Sequence, residues 1–212
     1  METAGHLFWR AVLRGYLRGY HRFRVVHREL LPQRTPFVLI ANHASHLDAL
    51  ALCAAMPLQL CDHVFPIAAG DVFFRTTAKA WFAAVFINAL PMWRKNCGAH
   101  ALQDLRSRLA TQDCGYILFP EGTRSRDGVL QDFKCGLGML VAGSEIPVIP
   151  CHLHGAFHAL PPDRWLPRPR RLTLRVGLPL FFRDTPNDRA GWDAVTRICQ
   201  QAVAELRVTN VP

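Results

Sequence analysis

The stretch Asn42-His43-Ala44-Ser45-His46-Leu47-Asp48 follows the apolar run Phe37-Val38-Leu39-Ile40-Ala41, and together they decide the fold expected for this chain. The apolar run comes directly after Pro36 and predicts a buried strand, whose end is marked by the polar cluster. Ser45 with Asp48 three residues later is a capping-box pattern, so we expect a helix to begin there. The segment therefore predicts a strand, a turn and a helix in succession.

His43 lies in the predicted turn, and Asp48 lies in the first turn of the predicted helix. Two mid-helix residues at this spacing, at about 100° per residue, would face different sides. A loop histidine can instead contact a carboxylate at the helix start, which would hold the imidazole in one tautomer and stabilise its protonated form. The pair is thus a candidate general base. Three other interpretations stay open on this stretch alone: Asp48 only as a cap, His43 only as a polar loop residue, and a metal site of His43, His46 and Asp48.

The composition favours an anionic partner. Half of the 212 residues are hydrophobic and only 19% are charged, yet the net charge is +9. This balance suits a nucleic acid, a membrane surface or a phosphorylated substrate. The seven cysteines include no CxxC pair, which argues against a disulfide framework or a zinc ribbon and favours a reducing cytoplasmic compartment. We therefore expect one domain of a cytoplasmic protein.

The N-terminal segment 7–23 is two-faced. Its apolar side is rich in aromatic residues, and its other side carries Arg10, Arg14, Arg18 and Arg22, one per turn. Such a helix suits the lipid interface, with the guanidinium groups on lipid phosphates. We expect residues 1–30 to form an amphipathic membrane-interface helix and residues 31–212 to form the main domain. The alternative is an ordinary helix packed on that domain. No signal peptide and no apolar run long enough to span a bilayer are visible in the sequence.

Strands and helices alternate along the rest of the chain. We expect strands at 64–69, 85–90, 115–119, 146–150 and 171–177, and helices at 72–84, 98–110 and 133–142. The prolines in 146–150 suggest an irregular or edge strand. Thr185 as cap, Pro186 at the first position and Asp188 predict the start of the last helix. The pattern predicts an α/β fold: a single layered domain with a mostly parallel central sheet flanked by helices, preceded by the N-terminal amphipathic helix.

Polar clusters follow three of these strands. His43 follows one, Arg94 follows another, and the segment Glu121 to Ser125 follows a third. In parallel sheets the ligand lies beyond the carboxyl ends of the strands, so we expect these clusters to converge. The loop 161–170, rich in proline and arginine and carrying Trp165, is either plain surface or a second rim that faces phosphate.

Asn-His-x-Ser-His-x-Asp at 42–48 and Phe-Pro-Glu-Gly-Thr-Arg-Ser at 119–125 resemble the first and third sequence blocks of the glycerolipid acyltransferases, the lysophosphatidic acid acyltransferase family. Asn88-Ala89-Leu90-Pro91, ending at Arg94, resembles the second block, and 146–150 resembles the fourth. Phe133-Lys134-x-Gly136 also matches the pattern. The resemblance implies transfer of a fatty acyl group from a coenzyme A or carrier-protein thioester to a lysophospholipid hydroxyl, such as that of 1-acylglycerol-3-phosphate.

The resemblance also implies roles for particular residues. His43 takes the hydroxyl proton and Asp48 orients it; the residues that bind the acceptor and its phosphate are Arg94, Glu121, Gly122, Thr123, Arg124 and Lys134. No cofactor or metal is implied beyond the acyl-CoA or acyl-carrier-protein co-substrate. The implied partners are the lysophospholipid, the acyl thioester and an anionic membrane surface reached through the N-terminal helix, on the cytoplasmic face of a membrane.

Other classes stay open beside this one. The alternatives are an acyltransferase for another lysolipid or a glycerol phosphate, and a catalytically silent lipid-binding module. A metal-dependent hydrolase would need ligands such as His152, His154 and His158. A nucleic-acid binder would explain the charge, but no zinc finger, glycine-rich phosphate loop or aromatic strand motif accompanies it.

Overall fold

The computed structural model describes residues 2–69, 90–92 and 99–208. The strands in this part of the chain are β1 (Arg24–Val26), β2 (Phe37–Ala41), β3 (Val64–Ala69), β4 (Leu90–Met92), β5 (Gly115–Leu118), β6 (Val148–His154) and β7 (Thr173–Val176). The helices are α1 (Glu2–His21), α2 (Asp48–Ala55), α3 (Ala99–Thr111), α4 (Gly136–Val141), α5 (Ala156–Ala159) and α6 (Arg189–Val208), with short 3-10 helices at Arg28–Leu30 and Leu58–Leu60.

These strands form one sheet in the order β1-β7-β6-β2-β5-β3-β4. All neighbouring strands run parallel except β6 and β7, which are antiparallel. The α/β fold with a mostly parallel sheet and an N-terminal helix is therefore confirmed. The carboxyl ends of β2 and β5 lie side by side, since Ile40 pairs with Leu118, and this brings the two main motifs to one edge.

Strand β2 is buried on both faces, which explains its uninterrupted apolar sequence. Phe37 and Leu39 pack in a core with residues of α1 and α2, including Leu17 and Leu52. The alternate residues of β2 pack in a second core with α4 and α6. Helices thus cover both faces of the sheet and hold the strand ahead of His43 in place.

The predicted bounds of β2 and β3 are the observed ones, but strand 146–150 differs. Strand β6 runs to His154 and lies inside the sheet, between β7 and β2, so the edge position predicted from its prolines is wrong. Pro150 is tolerated because the antiparallel ladder with β7 begins only at Cys151, so the missing N–H of Pro150 lies outside that ladder; its carbonyl still accepts the Gly177 N–H at 2.8 Å. The helix predicted at 72–84 and most of the strand at 85–90 lie outside the described residues.

Two helix starts lie later than predicted. Helix α6 begins at Arg189, and the cap is Asp188, whose Oδ1 accepts the Gly191 N–H at 2.8 Å; Thr185 is not the cap. Helix α4 begins at Gly136 rather than at residue 133. The N–H of Phe133 donates to the Gln200 side chain and the N–H of Lys134 donates to the Pro120 carbonyl, so these two residues are held ahead of the helix by contacts with α6 and with Pro120.

Helix α1 packs on the domain. Leu13 and Leu17 are buried in the core, and Arg10 is buried with its guanidinium donating to the carbonyls of Cys53 and Cys61 at 2.7 and 3.0 Å. Arg14 donates to the carbonyls of Ala54, at 2.8 Å, and Met56. The two arginines therefore satisfy carbonyls at and just beyond the C-terminal end of α2. The prediction that they would hold lipid phosphates is wrong for Arg10 and Arg14.

The exposed side of α1 is apolar instead. Its exposed large side chains are Leu7, Phe8, Val12, Tyr16 and Tyr20, and Arg18 is exposed as well. The segment expected to be only a helix, 1–30, also contains β1, which pairs with β7 at the edge of the sheet. In the part of the chain that the structure describes, no helix has both the length and the hydropathy needed to cross a bilayer.

Candidate active site

The end of β2 is fixed by Asn42. Its side-chain Oδ1 accepts the Leu153 N–H at 2.8 Å, and its Nδ2 donates to the Leu153 carbonyl at 3.2 Å. This paired contact ties the end of β2 to β6 and leaves the next residue, His43, at the carboxyl edge of the sheet. Asn42 belongs to the first sequence motif, but the sequence did not predict this structural role.

His43 and Asp48 are in contact, as predicted. The Nδ1 of His43 lies 2.9 Å from Oδ2 of Asp48, which is fully buried, while the imidazole is partly exposed. The same Oδ2 accepts the backbone N–H groups of Ala44 and Ser45, each at 2.7 Å. Because Oδ2 is already the acceptor of two amide hydrogens, it also accepts from Nδ1–H of His43, and Nε2 of His43 is left as the acceptor.

The cap and the catalytic contact are two roles of one carboxylate. Asp48 begins α2 and binds the Ser45 N–H, which is one half of a capping box. The other half is altered, because Ser45 Oγ accepts the Leu47 N–H at 3.0 Å and donates to the Leu160 carbonyl at 2.7 Å. Asp48 is thus positioned by the same contacts that start the helix.

Glu121 supports the catalytic turn from behind. Its side chain is only 2% exposed, and its Oε1 accepts the backbone N–H of His43 at 2.6 Å while Oε2 accepts that of Gln131 at 2.9 Å. Burial raises the pKa of Glu121 to about 7, although both N–H contacts act in the opposite direction. Both carboxylate oxygens accept backbone N–H groups, so Glu121 holds the turn in place; the role in acceptor binding that the resemblance implies stays a prediction.

The segment after Glu121 also contacts the turn. The Ser125 N–H donates to the His43 carbonyl at 2.8 Å, which fixes the turn at a second point. Arg124 donates to the His46 ring, with Nη1 2.7 Å from Nε2. Desolvation, and next the Arg124 guanidinium, lower the pKa of His46. The lowered pKa favours the neutral imidazole, whose ring nitrogen can accept a hydrogen bond from Arg124.

The remaining predicted acceptor residues lie beside this turn or outside the described part. Gly122 has a positive φ of 73°, and its N–H donates to the Phe119 carbonyl at 3.0 Å. Thr123 and Lys134 are exposed, and the backbone of Lys134 is held by Pro120. Arg94 lies outside the described residues.

Sequence reasoning assigned no role to Phe119. Its ring stacks on the His43 imidazole, with centroids 4.1 Å apart and an interplanar angle of 19°. This contact adds to Asp48 in fixing the imidazole plane. The register of β2 with β5 is the information that would have predicted it, since the pairing of Ile40 with Leu118 brings the residues after both strands together.

The structure gives little support to a metal site. No group of three or more histidine, cysteine, aspartate or glutamate side chains within the described ranges is arranged to hold an ion. His152 is buried in β6, where desolvation lowers its pKa to about 4. His154 and His158 are exposed. The histidines proposed for a hydrolase are thus not gathered around His43.

Comparison with known proteins gives consistent matches. The sequence profile of the Acyltransferase family matches residues 22–154. The chain is 31% identical over 150 residues to the 1-acyl-sn-glycerol-3-phosphate acyltransferase alpha of Ovis aries, covering 68% of this chain and 46% of that protein. It is 29% identical over 183 residues to the 1-acyl-sn-glycerol-3-phosphate acyltransferase of Limnanthes douglasii, covering 82% and 60%. The chain thus spans about half the length of the mammalian relative.

A solved structure supports the fold. The crystal structure of the 1-acyl-sn-glycerophosphate acyltransferase PlsC from Thermotoga maritima aligns with a TM-score of 0.66 at 22% sequence identity. The alignment covers 96% of this chain and 83% of that one. The similarity therefore includes α1 as well as the sheet.

Proposed function

This chain belongs to the Acyltransferase family, and from that premise we propose that it transfers a fatty acyl group from an acyl thioester to the free hydroxyl of a lysophospholipid. The proposed acceptor is 1-acylglycerol-3-phosphate or a close relative, and the donor is acyl-CoA or an acyl carrier protein. The observation that carries the proposal is the contact of His43 Nδ1 with the buried Asp48 carboxylate.

In the proposed reaction His43 is the general base. With Nδ1 held by Asp48, Nε2 takes the proton of the acceptor hydroxyl as its oxygen attacks the thioester carbonyl. The tetrahedral intermediate then collapses, the carbon–sulfur bond breaks, and the thiolate takes the proton back from the imidazolium. The products are the acyl ester and a free thiol. Asp48 stabilises the imidazolium between the two steps, and no covalent acyl-enzyme and no cofactor is required.

The acceptor phosphate would be held by the cations near this turn. Arg124 is partly exposed beside His46, and Lys134 is exposed after the segment that carries Glu121. A guanidinium and an ammonium are suited to a phosphate monoester. Arg94, from the block that resembles the second family motif, is proposed to join them.

We further propose that the protein is peripheral on the cytoplasmic face of a membrane. Support comes from the exposed apolar side of α1, where Phe8, Val12, Tyr16 and Tyr20 are accessible. Because Leu13 and Leu17 are core residues, deleting the helix would unfold the domain. A deletion therefore does not test membrane binding. Phe8→Ser with Val12→Ser removes surface hydrophobicity only, and should weaken binding to anionic vesicles without lowering Tm.

The activity is tested with purified protein, labelled lysophosphatidic acid and a panel of acyl-CoA and acyl-carrier-protein donors. We expect His43→Ala to lower product formation by about 10² to 10⁴ while the protein remains folded. His100→Ala, which changes an exposed histidine on α3, is the matched control and should keep wild-type activity. Wild-type turnover in His43→Ala would contradict the mechanism. Lysolipid binding without transfer by the wild type would instead identify a catalytically silent module.

A further inference from the structure

The loop that connects α5 to β7 exposes two adjacent apolar side chains. Trp165 is 87% exposed and Leu166 is 81% exposed. Single exposed apolar residues are ordinary on protein surfaces. An adjacent exposed tryptophan and leucine on one loop are less ordinary, because together they expose a large apolar area to water.

This loop is anchored at its base and turned within. The Arg168 N–H donates to the Ala159 carbonyl at 2.8 Å, which closes the base, and the Arg164 N–H donates to the Pro161 carbonyl at 3.1 Å. These two hydrogen bonds therefore restrain the conformation of the loop that carries Trp165. A restrained loop loses less conformational entropy when its tip binds to another surface.

The two ends of the loop are tied to the two parts of the molecule proposed to meet lipid. At one end the Leu160 carbonyl accepts the hydroxyl of Ser45, a residue of the catalytic turn, at 2.7 Å. At the other end the Pro167 carbonyl accepts the hydroxyl of Tyr20, on the exposed side of α1, at 3.0 Å. The loop thus joins the catalytic turn to the exposed apolar side of α1.

The charge around the tip is complementary to anionic lipid. The exposed cations of the loop are Arg164, Arg168, Arg170 and Arg171, against one acidic residue, Asp163. Aromatic and aliphatic side chains bracketed by basic ones are typical of segments that lie in the headgroup region of a bilayer. Each arginine near such a surface strengthens binding several-fold at low salt.

We propose that Trp165 and Leu166 enter the interfacial layer of an anionic bilayer while the flanking arginines bind lipid phosphates. The loop then forms a second membrane contact beside α1 and sets the catalytic turn against the lipid surface. This inference deepens the proposed function, because the lipid acceptor would reach His43 from that surface.

Vesicle sedimentation with the full chain tests the contact. The vesicles are phosphatidylcholine with about 30% phosphatidylglycerol, and the variant is Trp165→Ser with Leu166→Ser; we expect binding to fall about tenfold. The matched control is Leu178→Ser with Phe181→Ser, which removes two exposed apolar side chains after β7. Equal binding of the loop variant and the wild type, or equal losses in both double variants, would overturn the proposal.

Fluorescence locates the indole directly. The fluorescence of Trp165 is the difference between the tryptophan emission of the wild type and that of Trp165→Phe. Lipids brominated near the headgroup should quench this difference. Quenching of the Trp165 emission would place the indole in the bilayer. If this emission is not quenched, the proposal is overturned, even if the double variant is unstable.

Activity separates this inference from the proposed function. With a short-chain lysolipid below its critical micelle concentration, the loop variant should keep wild-type turnover, whereas turnover on vesicle-borne acceptor should fall. Loss of turnover on the soluble acceptor with unchanged vesicle binding would place the loop on the substrate and overturn the membrane contact. An inactive wild type whose vesicle binding depends on the loop would refute the acyltransferase function and leave this inference standing.

Discussion

Substituting glutamine for Glu121 separates a positioning role from a role in binding the acceptor. The carboxylate accepts the His43 N–H at 2.6 Å and the Gln131 N–H at 2.9 Å. Glutamine keeps one oxygen, so one of these contacts survives, and its NH₂ group meets the other N–H. Because the two donors repel, the backbone at His43 is expected to shift.

The change in stability is expected to be small because two effects oppose each other. Each hydrogen bond to a charged group contributes about 1.5–3 kcal/mol, and one is lost. Against this, burial raises the pKa of Glu121 from its ordinary 4.5 to about 7. Above pH 7 this shift makes the wild type less stable by up to about 3 kcal/mol, at 1.36 kcal/mol per pH unit, and glutamine removes that cost.

The rate is expected to change more than the stability. A displacement of about 1 Å near the reacting groups can cost on the order of 10² in rate. We therefore expect Glu121→Gln to lower kcat about 10- to 100-fold, with both KM values within about threefold of wild type. The assay is steady-state transfer at about pH 8, where Glu121 is ionised, with Tm measured alongside. An unchanged kcat with a raised KM for the lysolipid would refute the reasoning and return Glu121 to the acceptor site.

The pH dependence of stability gives an independent check. Between about pH 4.5 and 7 the folded protein keeps a proton on Glu121 that the unfolded chain has lost. The wild type therefore loses stability as the pH rises through this window, and Glu121→Gln lacks this contribution. A difference in unfolding free energy that does not change with pH between these values would contradict the assigned burial.

Further substitutions test three other parts of the structure. His152→Leu should remove an acid-sensitive contribution: burial lowers the pKa of His152 to about 4, so the wild type should lose up to about 3 kcal/mol as the pH falls from 6.5 to 4, measured by urea unfolding. Arg10→Met should cost about 3 kcal/mol or more because two buried carbonyls lose their donor, whereas Arg18→Met, at an exposed position, should stay within about 0.5 kcal/mol. Arg124→Ala and Lys134→Ala should each raise the KM of the lysolipid more than that of the thioester; equal rises would assign these cations to the phosphates of the donor.

The sequence predicted the elements whose signals are local. The apolar run of β2 and the box from Ser45 to Asp48 placed the catalytic pair in contact, because strand, turn and cap are decided by neighbouring residues. The resemblance located Glu121 in the site but not its role. That role depends on the approach of the 119–125 segment to His43, which the chain order alone does not contain.

The errors have the same origin. Proline signals at 147 and 150 suggested an edge strand, but tertiary pairing placed β6 inside the sheet. The arginines of α1 were predicted to face lipid, but Arg10 and Arg14 donate to backbone carbonyls at the end of α2. Helical periodicity separates the two sides of α1 correctly but does not say which side meets the protein. The stacking of Phe119 on His43 similarly required the sheet register.

The attachment of α1 also bears on the order of events during synthesis. Its C-terminal end is bound to the segment ahead of β7, where the His21 ring lies 3.3 Å from the Arg170 carbonyl, 149 positions later in the chain. The C-terminal end of α1 thus lacks this partner until synthesis has reached residue 170. We expect β1 and this end of α1 to dock late, after β2, β5 and β6 have paired, whereas Arg10 and Arg14 can bind the end of α2 once residues 53–61 have been made. Until β7 has been made, β1 lacks its partner strand, so the backbone N–H and C=O groups that later pair with β7 are available to water or to a chaperone.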